Sequence, residues 1–385
     1  REWLIGPPLP TAQLGAERLN KIRALAAFSP DALSSIAYAN QEIFLGLVVA
    51  GAAGLAYSWP IGLAIAGLLV AVALSYNQTI HAYPAGGGSY TVARENLGTQ
   101  WGLVTAAALM IDYTLTAAVS LTAGVAAIAS AFPDLWPHRT VLALAFLALI
   151  AIANLRGLRE SGTVMAIPVY LFLVSYLGML AYGLVRAATG EAGSFDVTAP
   201  VAREPVTNML ILHAFASGCT ALTGIEAISN GVPSFKPPES HNASRTLAVM
   251  ALLMGTLFVG SIGLTQHFAV VAPADETILS ALARRVLGSG AAYLIVQTAT
   301  LLILVVAANT SFAGFPRLVS ILAQDGYAPR QLSFLGDRLV FSNGMLLLAI
   351  LTGALIVVFL IFEPLGLYGI WIRIRNYWKA WPFSY

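Results

Sequence analysis

The sequence predicts an all-α polytopic membrane protein built as an inverted five-helix repeat with discontinuous helices 1 and 6. Three observations carry this prediction. Of 385 residues, 58% are hydrophobic and only 10% charged, against roughly 25% charged in an ordinary soluble domain. Mean hydropathy is +0.78, and the apolar stretches run near or above the roughly 20 residues that a helix needs to cross hydrocarbon. A β-barrel would show shorter alternating segments. Two stretches, five spans apart, are interrupted by polar and small residues.

Taken in order, residues 1–24 form a cytoplasmic N-terminal segment carrying Arg1, Glu2, Glu17, Arg18, Lys21 and Arg23. The apolar run after it is too long for a signal peptide. Runs bounded by charge and by Gly/Pro clusters place spans near 28–51, 60–82, 101–131, 139–155, 163–185, 206–232, 246–268, 290–309 and 339–362. With the N-terminus inside, the cytoplasmic loops collect twelve Lys and Arg and the outer loops five. That bias sets the orientation of a multi-pass protein of the plasma membrane. Spans 1–5 make a first repeat over 25–187, and spans 6–9 a second over 205–362 that is one helix short. Residues 363–385 are a short aromatic, basic tail whose run 364–372 is too short to span. The chain therefore reads as truncated after about nine spans.

The net charge of +2 is small and the basic residues are scattered, which excludes a nucleic-acid surface. A single cysteine, Cys219, excludes an intrachain disulfide.

The first interruption reads Ser29-Pro-Asp-Ala-Leu-Ser-Ser-Ile-Ala-Tyr38, the second Ser217-Gly-Cys-Thr-Ala-Leu-Thr-Gly-Ile-Glu226. An odd separation gives the two opposite orientations, as inverted repeats produce, and such breaks border the central site of secondary transporters. The alternative is a pair of Pro/Gly kinks in an ordinary bundle.

A carboxylate at mid-bilayer costs about 2.5–3.5 kcal/mol on insertion scales, so each one is a functional candidate. Four occur within spans: Asp31, Glu42, Asp112 and Glu226. Asp112, Thr116 and Ser120 follow at i, i+4 and i+8 and line one helix face with oxygen. Thr223 and Glu226 lie at i and i+3, and Tyr38 stands two turns after Asp31, provided the helix resumes after Pro30. Three helices thus point oxygens at one centre. The five histidines show no ligand spacing and one Cys is no thiolate site, so a desolvated alkali cation suits this set better than a transition metal. Two plainer readings stand beside it: Thr and Ser bond back to their own helices, and the acids pair elsewhere. Glu42, one turn beyond Tyr38, orients its neighbours. Three carboxylates around one univalent ion leave charge in excess, and crowding favours a proton on one of them, the exchange that proton-coupled transport uses. The Gly-rich run 84–90 lacks the ending of a phosphate loop and reads as a tight cytoplasmic turn before Arg94 and Glu95.

The segment FSPDALSSIAYANQE at 28–42, with YPAGGGSYTVAREN at 83–96, IDYTLTAAVS at 111–120 and ALTGIEAISNGVPSF at 221–235, resembles the KimA-type potassium transporters, in the KUP branch of the amino acid-polyamine-organocation superfamily. The resemblance covers about 28–362. It implies the inverted-repeat fold and proton-coupled K⁺ uptake, a K⁺/H⁺ symport without a resident cofactor. Its cation ligands would fall on Asp31, Tyr38, Asp112, Thr116, Ser120, Thr223 and Glu226, with K⁺ expected chiefly at Asp31, Asp112, Thr116 and Ser120; the crowding of acids and the place of Glu226 beside the helix break make it the expected proton carrier. Family members have further helices and a cytoplasmic C-terminal domain implicated in homodimerisation and nucleotide regulation. An amino-acid or polyamine permease of the same fold is the main rival, but its Gly-rich first break is here Ser-Pro-Asp-Ala-Leu-Ser-Ser, and Asp31 would repel a substrate carboxylate. An intramembrane aspartyl protease would need a Gly-x-Gly-Asp run that the sequence lacks. A non-transporting fragment is the remaining alternative.

Overall fold

The computed structural model describes residues 18–84, 86, 88–156, 162–190, 201–273, 275–336 and 340–362. Residues 1–17 and the tail from 363 lie outside these, so the expected aromatic tail and most of the N-terminal segment do too. The described chain is helical, with one isolated bridge between Leu19 and Phe235.

The helices are α1 (Lys21–Phe28), α2 (Pro30–Val48), α3 (Gly51–Leu55), α4 (Ser58–Ala82), α5 (Ser89–Leu97), α6 (Thr99–Ala131), α7 (Arg139–Leu155) and α8 (Gly162–Ala188). They continue with α9 (Asn208–Gly218), α10 (Glu226–Asn230), α11 (Glu239–His267), α12 (Ile278–Leu287), α13 (Ala291–Gln324) and α14 (Ser342–Val357). Among the described residues, eight stretches are long and apolar enough to cross a membrane, from Gly51–Ala82 to Ser342–Leu360. The remaining expected span, the first, is α2, whose Asp31, Asn40, Gln41 and Glu42 make it more polar than the other eight.

Span limits shift where the apolar run and the helix end for different reasons. An apolar run stops at the first charge, whereas a helix stops where its terminal backbone groups find other partners. The seventh span therefore begins at Glu239 rather than 246 and the eighth extends to Gln324 rather than 309. Side-chain caps set other starts: Asn20 Oδ1 accepts from Arg23 N–H at 2.9 Å, and Thr207 and Thr277 cap α9 and α12 at 3.2 Å.

The tertiary arrangement follows one rule. Besides the packing of α5 on α6 and of α2 and α8 on α13, extensive contacts join α2 with α9, α4 with α11, α6 with α13 and α7 with α14. Each of these four pairs is a span packed against the one five further along the chain. Because five is odd, every such pair is antiparallel, the contact pattern of a two-fold axis in the membrane plane. Small residues allow the approach: a Cβ on Gly124 of α6 would stand 3.2 Å from Leu301 and 3.3 Å from Leu304 of α13.

The two short helices, α5 and α12, obey the same symmetry. Both end on Arg-x-x-Leu-Gly, as Arg94 to Gly98 and Arg284 to Gly288, and both glycines adopt positive φ, +93° and +73°. Each helix bonds across to the C-terminal end of the other half's long helix. In α5, Tyr90 donates to Asp325 Oδ2 at 2.7 Å and Arg94 pairs with the same carboxylate. In α12, Arg284 donates to Ser130 O at 3.0 Å, to Tyr293 Oη at 3.1 Å and to Glu276 at 3.0 Å. Arg186 at the end of α8 closes α12 by donating to the carbonyls of Arg285 and Val286, both at 2.8 Å.

Candidate functional site at two facing helix breaks

The two interruptions differ in kind. At the first, Ser29 N–H bonds Leu25 O at 2.9 Å and Leu33 N–H bonds Ser29 O at 2.8 Å, so the ladder survives on both sides. Pro30 lacks an N–H and withholds the bond from Ala26 O, giving a kink of one residue. Helix α2 is then continuous from Pro30, which keeps Asp31 and Tyr38 two turns apart on one helix, as expected. The sixth span is fully interrupted. After α9 a tight turn covers Cys219–Leu222, Thr223 is extended (φ −68°, ψ 154°), and Gly224 takes φ +80° before α10 starts at Glu226.

The breaks lie directly against each other. A Cβ on Gly224 would stand 2.5 Å from Ala32 N and 2.9 Å from the carbonyl carbon and Cβ of Asp31. Only glycine fits there, by space and by φ. This contact brings Asp31, 4% exposed, beside Glu226, 9% exposed.

Around that crossing the structure brings Asp31, Glu226, Asp112, Tyr38 and Thr223 within reach of one another, while Thr116 and Ser120 follow further along α6. Asp31 lies in electrostatic reach of Glu226 and Asp112, and Glu226 in reach of Asp112. Tyr38 reaches Asp31 and meets the Thr223 side chain, with Glu42 near enough to act on it. Thr116 and Ser120 are buried below the half-buried Asp112 on α6. Of these site side chains, Asp31 Oδ1 and Ser120 Oγ are buried without a hydrogen-bond partner, as are Ser29 Oγ at the same break and eight further side-chain atoms elsewhere among the described residues; a buried carboxylate oxygen in that state suits a cation as its partner. The plainer reading of hydroxyls holds in part: Thr223 donates back to Thr220 O at 3.1 Å, which spends its proton and leaves its lone pairs. Among the described residues no three His, Cys, Asp or Glu side chains form a compact metal-binding group. The acids are neighbours across a gap rather than a three-acid clasp.

Two tyrosines were missed. Tyr113 reaches Glu226, Asp31 and Asp112, and its ring packs against Gly314 of α13, with ring atoms 2.7 Å from where a Cβ would stand. Its place next to Asp112 was a usable signal. Tyr76 on α4 reaches Glu226 and Asp112, and nothing in its apolar span announced it.

On the side of the N-terminus the site is capped. Phe28 stacks on Phe235 with centroids 5.6 Å apart. Leu19 bonds Ser234 O at 2.7 Å and accepts from Lys236 N–H at 3.0 Å. The Gly-rich turn leans on the same region, since a Cβ on Gly86 would meet Asn230 O at 3.1 Å.

Residues 22–376 match the amino acid permease family. The chain belongs to this family. Within it, the chain is similar to the potassium transporter KimA of Bacillus subtilis (strain 168), 46% identical over 363 residues, 93% of this chain and 60% of that protein. It is also 26% identical over 301 residues to uncharacterized transporters of Mycobacterium bovis and Mycobacterium tuberculosis, covering 76% of this chain and 64% of each. The chain thus spans about three fifths of the length of these curated relatives.

Proposed function

We propose that this permease carries out proton-coupled K⁺ uptake across the plasma membrane by alternating access, with its N-terminus in the cytoplasm. The observation that carries the reading is the buried Asp31, whose Oδ1 has no partner, set beside Glu226 and within reach of Asp112. A buried charge needs a partner, and a cation stripped of water needs oxygens: Asp31, Asp112, Thr116 and Ser120 as principal ligands, with Tyr38, Thr223 and Glu226 completing the set. Glu226, next to the interrupted segment, takes the proton when the cation leaves. The similarity to a protein named as a potassium transporter supports the choice of ion. No cofactor is required. The halves that exchange access are 25–187 and 205–362, and pairing of each span with the one five further on supports that division. Homodimerisation and nucleotide regulation complete this reading.

The family's description as amino acid permeases keeps one rival alive. Purified protein in liposomes, given tracer K⁺ or labelled amino acids under an imposed pH gradient, separates them. K⁺ entry accelerated by inward proton flow supports the proposal; amino-acid entry without K⁺ entry overturns it.

A further inference from the structure

We infer that the outer face of the α4–α11 pair is a binding site for one anionic glycerophospholipid, held by its phosphate at one membrane surface and by an acyl chain in a groove. The groove has a volume of about 560 Å³ and runs between Ala66, Val70 and Ala73 of α4 and Ala248, Ala251 and Gly255 of α11. Its floor is small and apolar. On α4 it extends from Ala66 to Asn77 and on α11 from Ser244 to Val259, which at the helical rise is about 16 Å and about 22 Å. Half of a hydrocarbon core of roughly 30 Å is about 15 Å, so the groove spans one leaflet. One acyl chain fits that length.

One end of the groove is polar, where Ser244 donates to Asn77 Oδ1 across the helix pair. Around this end, 100° per residue places the charged and imidazole side chains, Arg245 beside Ser244 and His81 and His241 beyond it. His81 falls on the α4 face of Val70 and Leu74, His241 on the α11 face of Leu252 and Val259, and Arg245 on that of Leu252 and Thr256. All three are exposed. His81 is anchored through Nδ1 to Asn77 O at 2.8 Å. The nearby acid, Glu239, is already paired with Arg18 at 2.8 Å, so the rim offers the positive charge of Arg245 to an incoming anion. That ion pair also puts the rim on the side of the N-terminus, the cytoplasmic leaflet in the orientation proposed above. Apolar groove and basic rim together match a diacyl lipid with an anionic headgroup, and not a second copy of the chain, whose matching rim would bring Arg245 toward its own kind.

The test is native mass spectrometry of the detergent-purified chain titrated with phosphatidylglycerol and, separately, with phosphatidylcholine. Wild type should prefer phosphatidylglycerol severalfold. Arg245→Gln, at an exposed position, should lower phosphatidylglycerol affinity by about fivefold and leave phosphatidylcholine unchanged. Gly255→Leu fills the groove, because a Cβ there meets only Leu69 at 3.7 Å, and should weaken both lipids. Equal affinity of wild type for the two lipids, phosphatidylglycerol binding unmoved by either variant, or cross-linking of two chains through the groove would each overturn the inference. Lipid binding is read without transport, so its failure is separate from failure of the proposed K⁺ uptake.

Discussion

Gly224→Ala should disable the ion site while leaving the protein inserted and folded. The added methyl meets two obstacles. An L residue forced into the left-handed region costs about 1–2 kcal/mol, and Gly224 sits at φ +80°. The methyl would also stand 2.5 Å from Ala32 N and 2.9 Å from the Asp31 backbone, main-chain atoms that cannot rotate away, and overpacking of that sort costs about 1–3 kcal/mol. The sum is about 2–5 kcal/mol, and at 1.4 kcal/mol per tenfold it weakens K⁺ binding by about thirtyfold or more if expressed at the crossing. Gly190→Ala is the control: its φ of +84° is as strained, but nothing lies within 4 Å of its Cβ, so it should lower stability slightly and leave affinity alone. Calorimetric K⁺ titration with thermal unfolding of both variants is the assay. Gly224→Ala binding K⁺ within threefold of wild type, or Gly190→Ala losing as much affinity, would refute the argument that the break contact builds the site.

Asp31→Asn and Asp112→Asn should each nearly abolish K⁺ binding, because a full charge in a low-dielectric site outweighs a hydroxyl dipole. Thr116→Val should weaken it about tenfold to hundredfold, the scale of one hydrogen bond to a charged group, about 1.5–3 kcal/mol; tracer binding ranks the three. Glu226→Gln should uncouple K⁺ flux from an imposed pH gradient, and flux that still follows the gradient would move the proton elsewhere. Arg284→Gln removes bonds to Glu276, Ser130 and Tyr293 and should speed amide exchange across Ile278–Leu287 about tenfold, whereas the more exposed Arg94–Asp325 pair should contribute little and fade with salt. Burial, then the bond to Asp325, holds the Tyr90 phenol above its ordinary value of 10.0. A raised folded value stabilises below 10.0 and is lost as pH climbs beyond it, so amide protection of α5 should stay flat up to that pH and fall only above it.

The spans, the two interruptions and the acids within them were legible in the sequence because the bilayer imposes local requirements. A crossing needs about 20 apolar residues, Pro30 breaks a ladder wherever it stands, and Asp31, Asp112 and Glu226 are conspicuous in apolar surroundings. The i, i+4, i+8 face of Asp112, Thr116 and Ser120 is likewise a property of one helix. The short helices α5 and α12 were not placed from the sequence, because both are too short to cross a bilayer, although Ile278, Leu279, Leu282 and Val286 of α12 fall at helical spacing on one buried face. Their Arg-x-x-Leu-Gly endings acquire meaning only once Ser130 and Asp325 are seen to receive them. Which acids meet was decided by the fold, because meeting depends on helix crossings set by distant contacts. Gly224 reads in sequence as one small residue of the second interruption, and only the approach of Asp31 and Ala32 makes its missing Cβ necessary. Tyr76 is the limiting case: its own span argues for a lipid-facing helix, and the packing of α9 and α10 of the interrupted sixth span against α4 brings it within reach of Glu226, an outcome that no local pattern encodes.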